Sequence, residues 1–420
     1  MCFIPNSAVW EAIATNDDAP QDLRQAAFDQ IHSIAAVQSA VNSASVVGDA
    51  PTQGNKDFTC TIYSLQNKDF KEDMSDEQWA AVTNFDAITT FPGVKMADSK
   101  GFVAKAKDGS EDIYVKQTYE AYRNVYNFYK AIFGRNSLDN QGLEIRASIH
   151  LKRGYNNAFW SDSLGQMCFG DGGRWDGRGW MPPTEKELND PAEFKARKIG
   201  SLTNWHAYYA LDIVGHELTH GVVSYTARLA DQQWADGDTN GWTPARNAAY
   251  SEAATLNEHI ADCFGMMVKH YTAKTAVDTA SWDLGTNYFS DYAMEANKWN
   301  QNVVRSFKVP DANTKSADAS RPKHWNNKLA FEGTKAPGLD PHINCGIASN
   351  AFYLAALAFK GNSWDKMGTI WYNALLDPSL RDPKNQTFLG WRNLTVSYAG
   401  RIFGVSGKTN MTSAWGQVGL

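Results

Sequence analysis

The stretch VGHELTHGVVSYTARL, from Val214 to Leu229, places two histidines four residues apart, with a glutamate beside the first. Residues four apart lie on one face of an α-helix, so His216 and His220 can present imidazole nitrogens to one metal ion. Glu217 is displaced from His216 by about 100° around the helix. It can therefore reach a metal-bound water without being a ligand, and the spacing predicts a zinc site on a helix.

A second helical stretch supplies a candidate for the third zinc ligand. Two imidazoles hold zinc weakly, and a hydrolytic site needs three protein ligands with a fourth position left for water. In LNEHIADCFG, Glu258 and Asp262 are four residues apart and share a face. Glu258 is the predicted third ligand, and Asp262 is predicted to accept a hydrogen bond from the second nitrogen of a ligating histidine. Because the first pattern alone occurs by chance in unrelated helices, this second helix favours the metal site.

Composition bounds the class of protein. A chain of 420 residues predicts two packed domains and an appendage. Its content of 43% hydrophobic and 20% charged residues is typical of an ordered globular protein. The net charge of −6 is spread without a basic block, which argues against nucleic acid as a partner. No apolar run reaches the roughly 18 residues that span a bilayer, so we expect no membrane partner.

The N-terminus and the cysteines bear on location. MCFIPNSAVWEAIATNDDAP has no basic region ahead of a continuous apolar stretch, so a secretory signal peptide is not supported. The five cysteines are odd in number and contain no CxxC pair, which argues against a disulfide framework. We expect a cytoplasmic protein, or one exported without a classical signal peptide.

Changes in sequence character predict three segments. Residues 1–55 combine helical periodicity with a Ser-, Gly- and Pro-rich linker. Residues 56–210 contain runs that predict strands, namely FTCTIYSL, GFVAKA, DIYVKQTY and LEIRASIHL, and a helical pattern at Thr118–Phe133. Residues 211–420 read as a helical domain. The predicted fold class is α+β, with a mainly β N-terminal half, a helical C-terminal half and the zinc site between them.

Further motifs occur in an order that resembles the thermolysin family of zinc metallopeptidases. Besides the two helices above they are HLKRGYNNAFW, VVRSF, DPHINCGIASNAFYLA and the ending AWGQVGL. The opening MCFIP resembles the short prosegment of the protealysin branch. The resemblance implies a two-domain, thermolysin-like zinc endopeptidase that cuts on the N-terminal side of bulky hydrophobic residues. It also implies a precursor whose N-terminal prosegment, residues 1–55, is removed, with the cut expected before Phe58.

The resemblance also implies roles for single residues. Zinc would be held by His216, His220 and Glu258, with Glu217 as general base. The remaining implied roles are an oxyanion donor (His342), an oxyanion assistant (Tyr250, one residue out of register), substrate main-chain binding (Asn157, Ala158 and Arg305), an apolar pocket (Ile213 and Val304) and a carboxylate that orients His342 (Asp340). Alternatives remain: Arg305 as a surface ion pair, Asn157 as a turn residue, and His342 as a residue merely ordered by Asp340.

The calcium ligands are the largest departure from the family. The family's paired calcium site uses five acids, of which Asp212 and Asp283 match, whereas Lys269, Ser281 and Thr286 stand at the other positions. An ammonium group in place of a bridging carboxylate is incompatible with two adjacent divalent cations. We therefore predict that the double calcium site is absent, while a single calcium ion remains open.

Two functional classes follow. The first is a metalloendopeptidase whose partners are a peptide substrate and its own prosegment. The rival is a catalytically silent protein that keeps the fold as a binding or scaffold module, supported by insertions such as the long gap between His220 and Glu258. Glu217 argues against the rival, because binding zinc alone would not need a base.

Overall fold

The computed structural model begins with two helices that pack on each other, α1 (Ser7–Ala14) and α2 (Gln21–Ser43). Their shared core contains Trp10, Ile13 and Leu23, each fully buried. The structure describes residues 7–43, 45–46, 54, 56–65, 90–91, 93–101, 103, 112–151, 155–170, 174–175, 180–181, 210–230, 244–310, 322–328 and 341–420.

A five-stranded mixed sheet follows, made of β2 (Cys60–Ser64), β4 (Val94–Asp98), β5 (Ile145–Ile149), β6 (Ala158–Ser161) and β7 (Gln166–Phe169). The strand order is β4-β2-β5-β7-β6. Strands β2, β5 and β7 run parallel to one another, whereas β4 and β6 are antiparallel to their neighbours. Short two-residue pairs add β1 (Ser45–Val46) with β3 (Thr90–Phe91), and β8 (Arg174–Trp175) with β9 (Trp180–Met181).

One strand prediction is wrong. The run DIYVKQTY forms the start of a helix, α3 (Ile113–Phe133), and not a strand. Asp112 is the N-cap of this helix: its Oδ1 accepts hydrogen bonds from the backbone N–H groups of Tyr114, at 2.9 Å, and Val115, at 3.2 Å. This cap satisfies two of the N–H groups that a helix start leaves without partners, which outweighs the strand preference of the aromatic and β-branched residues. Most of GFVAKA lies outside the described residues.

The C-terminal half is built from helices. They are α4 (Leu211–Ser224), α5 (Pro244–Ala273), α6 (Asp291–Ala296), α7 (Pro341–Phe359), α8 (Gly368–Leu375) and α9 (Phe388–Gln417), with β10 (Asp283–Leu284) antiparallel to β11 (Arg305–Ser306). Short 3₁₀ helices occur at Trp325–Asn327, Pro378–Arg381 and Pro383–Asn385, and a short π-helix occurs at Ser363–Met367. Within the described chain, every helix is too short or too polar to cross a bilayer.

Two glycines set the contact between α4 and α5. A Cβ atom at Gly215 would lie 3.1 Å from the Cα of Gly265, and one at Gly265 would lie 2.3 Å from the carbonyl oxygen of Asp212. The two backbones therefore touch without intervening side chains. This close crossing lays the HELTH turn of α4 against the turn of α5 that carries Glu258 and Asp262.

Candidate metal centre

Three donor atoms converge where α4 crosses α5. The Nε2 atoms of His216 and His220 are 2.9 Å apart. The carboxylate of Glu258 lies 3.5 Å from the first nitrogen and 3.6 Å from the second. All three side chains are buried, and one ligand atom from each fits within a span of 4.8 Å. The sequence spacing thus identified a cluster that the fold assembles.

The geometry of this cluster fits zinc. Tetrahedral zinc with ligands at about 2.0–2.1 Å keeps neighbouring ligand atoms roughly 3.3 Å apart, close to the three separations of the cluster. Two imidazoles and one carboxylate are also a ligand set of hydrolytic zinc sites, in which water takes the fourth position. The residues present therefore fit this ion.

Each imidazole is oriented through its other nitrogen. Nδ1 of His216 lies 2.7 Å from Oδ1 of Asp262, and Nδ1 of His220 lies 3.0 Å from Oδ1 of Asn257. Since a carboxylate and an amide oxygen only accept hydrogen bonds, both Nδ1 atoms donate, and this turns both Nε2 atoms towards the centre. Asp262 lies where the sequence predicts it. Asn257 was missed, although its place directly before Glu258 offered a signal.

The electrostatics of the cluster favour a cation at its centre. Burial opposes charge on His216, but hydrogen bonds to Asp262 and Glu258 raise its pKa to about 9. Burial lowers the pKa of His220 to about 4. Despite burial, the neighbouring charges of His342 and His220 hold the pKa of Glu258 well below its usual range. At neutral pH and without a metal ion, these pKa values leave one proton, on His216, among the two imidazoles and the carboxylate. A metal ion can take the place of that proton.

Glu217 lies beside this cluster on α4 and is fully buried. Its Oε2 accepts a hydrogen bond of 2.8 Å from the backbone N–H of Trp160 on β6. Its Oε1 makes no hydrogen bond within the described residues. Burial raises the pKa of Glu217 to about 8, although the charge of His216 opposes this. The contact from Trp160 was also missed, because a backbone donor leaves no mark in the sequence.

The residues predicted to contact substrate surround the cluster. Nε2 of His342, at the start of α7, lies 3.3 Å from Oε2 of Glu258. Nη2 of Arg305 lies 2.9 Å from Oδ1 of Asp262, and Arg305 is only 1% exposed, so it is not a surface ion pair. Asn157 directs its Oδ1 to the backbone N–H of Ala158 at 2.8 Å, beside the last strand of the described sheet, where both residues are buried.

The remaining predicted residues lie either in the hydrophobic core or outside the described residues. Ile213 and Val304 are buried in the hydrophobic core. Tyr250 lies in α5, eight residues before Glu258, and its side chain lies outside the described part of the protein. Asp340 directly precedes α7 and is also outside the described residues. The roles of all these residues stay predictions.

A fold with a sheet-containing half, a helical half and a buried His–His–Glu cluster between them defines a class of metallopeptidase. Models of the thermolysin metallopeptidase match two parts of the chain: the catalytic domain at residues 46–182 and the alpha-helical domain at residues 247–420. Protease PrtS of Photorhabdus sp. (strain Az29) is 30% identical over 366 residues, which cover 86% of this chain and 81% of that protein. The chain belongs to the thermolysin metallopeptidase family.

Other relatives agree with this assignment. A protein named extracellular metalloprotease, from Pectobacterium carotovorum subsp. carotovorum, is 30% identical over 321 residues and is covered to 76%, as is this chain. The solved precursor of protealysin from Serratia proteamaculans superposes with a TM-score of 0.66 and 25% identity, over 100% of this chain and 99% of that one. The predicted two-domain α+β fold and the family are confirmed, and the chain is a metalloendopeptidase by class.

Proposed function

We propose that this protein is a zinc-dependent endopeptidase that hydrolyses peptide bonds on the N-terminal side of bulky hydrophobic residues. The observation that carries the proposal is the convergence of His216, His220 and Glu258 beside the Glu217 carboxylate. A zinc-binding scaffold would need the three ligands but not a buried carboxylate next to them. The silent-scaffold alternative is therefore less well supported.

The chemistry divides among the side chains as follows. Bound zinc supplies a Lewis acid that lowers the pKa of water and polarises a carbonyl group. Glu217 accepts a proton from the attacking water at Oε1 and passes it to the departing amine, while the Trp160 N–H holds Oε2. His342 donates a hydrogen bond to the charge that develops on the carbonyl oxygen, with Tyr250 as assistant. Asp340 orients His342 in this proposal.

Substrate binding is proposed along the edge of the sheet. Asn157 and Ala158 hold the substrate main chain, and Arg305, which contacts Asp262, holds a substrate carbonyl. Ile213 and Val304 contribute an apolar wall that favours a bulky hydrophobic side chain after the cleaved bond. The two residues are buried and carry no polar atoms on their side chains, which supports this preference.

We also propose that α1 and α2 form a removable prosegment within residues 1–55, ahead of catalytic segments at 56–210 and 211–420. The contacts of these helices support an attached precursor piece. The Tyr292 hydroxyl donates to Asp22 at 2.9 Å, and the Asn16 amide donates to Asn297 at 2.9 Å. The ring of Trp10 meets that of Phe289 edge-on at 6.4 Å.

The cleavage point proposed for this prosegment lies before Phe58. The Phe58 ring packs against the rings of Tyr119 and Tyr126 on α3, at 5.4 and 5.3 Å between centroids. Such an aromatic anchor holds the new N-terminus on the catalytic part after the cut. Mass spectrometry of the processed enzyme would identify its first residue, and a start far beyond Phe58 would refute this site.

Calcium is proposed to be absent from the family's paired site. We call the atoms around Lys269 the lysine corner: the ammonium lies 2.8 Å from Oδ2 of Asp212, 2.6 Å from the carbonyl oxygen of Asp283 and 3.0 Å from Oγ1 of Thr286. The Nζ atom already contacts three oxygens there. This occupied position supports the prediction that two adjacent calcium ions do not bind.

The location of the protein and its partners are also proposals. The name of the Pectobacterium relative supports export over a cytoplasmic location. The proposed partners are a peptide substrate and the protein's own prosegment. A cell fractionation that found the enzyme only in the cytoplasm would contradict export.

The function is tested with a quenched hydrophobic peptide. We expect cleavage by the prosegment-free enzyme and a loss of about 10²–10⁴-fold in the Glu217→Gln variant, the range typical of a general base. Zinc content is assayed in both proteins and should be equal. Zinc in both with cleavage in neither would favour the scaffold. Cleavage that ignores the residue after the bond would refute the specificity.

A further inference from the structure

The edge of the sheet next to the metal centre carries a row of N–H groups that point away from the sheet. Among the residues that the structure describes, strand β6 pairs with β7 on one side only. Gly170 donates to the Asn157 carbonyl on that side at 3.0 Å. Neighbouring residues of a strand face opposite ways, so the N–H groups of Asn156, Ala158 and Trp160 face the other side.

Each of these three N–H groups has its own acceptor. Trp160 donates to the Glu217 carboxylate at 2.8 Å, and Ala158 donates to the side chain of Asn157 at 2.8 Å. Asn156 donates to Oε1 of Gln30 at 3.0 Å. The first two acceptors belong to the catalytic part of the chain. The third belongs to α2, in the proposed prosegment.

The contact between Gln30 and Asn156 is buried and specific. Gln30 is 1% exposed and Asn156 is fully buried. The Tyr288 hydroxyl donates to the Asn156 carbonyl oxygen at 3.0 Å, so the same residue is also held by the loop between β10 and α6. Ser33 and Ile34, three and four positions after Gln30, are also buried and continue this face of α2.

We propose that Gln30 imitates a peptide group of the substrate, by holding the Asn156 N–H that a carbonyl of an extended substrate takes after α2 has left. A side-chain carboxamide offers the same acceptor as a main-chain amide. Extended peptides commonly bind by adding to an exposed sheet edge. This inference rests on the proposed function, because it requires α2 to be removed.

The spacing defines which substrates use this position. Trp160, whose N–H holds the proposed base, is four positions after Asn156, and an extended strand covers about 13 Å over that distance. A peptide must therefore extend several residues from the cleaved bond to reach Asn156. Peptides too short to reach Asn156 should gain no binding energy from its N–H group.

The first test measures hydrolysis by the intact, uncut chain, with its integrity checked by mass spectrometry. Gln30→Met keeps the length of the side chain and removes the acceptor. We expect about a tenfold rise in hydrolysis, because the closed form then buries the Asn156 N–H without this acceptor. The matched control is Gln25→Met, an exposed position on α2 that contacts Asp29, and it should behave as the parent. Thermal unfolding is recorded for each variant.

The second test uses the enzyme after prosegment removal. Lengthening a peptide until it reaches Asn156 should raise kcat/KM about fivefold. If the intact parent and a folded Gln30→Met variant both fail to hydrolyse the peptide, the inference is overturned. If that variant unfolds at a lower temperature than the parent, the series of peptides of increasing length decides. A kcat/KM that does not change with peptide length overturns the inference. A prosegment-free enzyme that cleaves no hydrophobic peptide would instead contradict the proposed function.

Discussion

Helix α4 contributes residues to two clusters in which a buried carboxylate needs a positive charge nearby, and the two clusters obtain that charge in different ways. Around His216 and His220, two imidazole nitrogens and a carboxylate face one another across 2.9–3.6 Å. One turn earlier, Asp212 faces the lysine corner, where the chain itself supplies the positive charge. The first cluster takes its cation from solution and the second carries its own.

This difference has a physical cause. Lys269 brings an ammonium that is covalently tied to α5, so no binding equilibrium has to be met and the corner holds at any metal concentration. The His–His–Glu cluster leaves a fourth position for water, which a lysine would fill. A catalytic centre therefore needs an ion with an open coordination position, whereas a structural junction does not.

Metal removal should give the largest effect and separates the two regions most sharply. A strong zinc chelator should abolish peptide hydrolysis, because Glu217 then has no activated water to deprotonate, and added zinc should restore it. Rates are measured before and after dialysis. Full activity in a protein shown to be free of metal would refute the comparison.

Loosening the zinc ligands should give the next largest effect. Asn257→Ala removes the acceptor for Nδ1 of His220, and we expect a loss of about 10–100-fold in zinc affinity. Competition with a coloured chelator measures this. The matched control is Asn326→Ala, a polar side chain in a distant turn, which should keep the affinity of the parent.

Neutralising the lysine corner should destabilise the fold and leave zinc affinity unchanged. Lys269→Met removes the cation from Asp212, which is 4% exposed. We expect a loss of about 2 kcal/mol in the free energy of unfolding, reduced from the cost of a fully buried pair because the Lys269 side chain is partly exposed. Denaturant titration measures it. Lys298→Met, in an exposed pair with Asp18, is the control and should show no measurable change.

Calcium should give the smallest effect. Because Lys269 already contacts Asp212 and Asp283, added calcium should leave the midpoint of thermal unfolding unchanged. The midpoint is compared with and without calcium and a calcium-selective chelator. A large upward shift would show that the ion displaces the ammonium, and the two regions would then both depend on metal.

Sequence reasoning succeeded where helical periodicity carries the information. The four-residue spacings of His216 with His220 and of Glu258 with Asp262 define two faces, and the fold presses those faces together. The helix start at Asp112 was not predicted, because the aromatic and β-branched residues of the run Ile113–Tyr119 favour a strand and the N-cap was not recognised. The main-chain donor of Trp160 and the carbonyl of Asp283 could not be predicted, since the sequence does not specify where a backbone atom of one element meets another.

The glycine contact between α4 and α5 has a consequence for mutational tolerance. A side chain at position 265 would collide with the backbone at Asp212, one turn before the first ligand. The two ligand-bearing helices are therefore spaced by an amino acid that never touches the metal. Gly265 should tolerate exchange as poorly as a ligand in a saturation screen, and a screen for lost activity alone would misread it as catalytic.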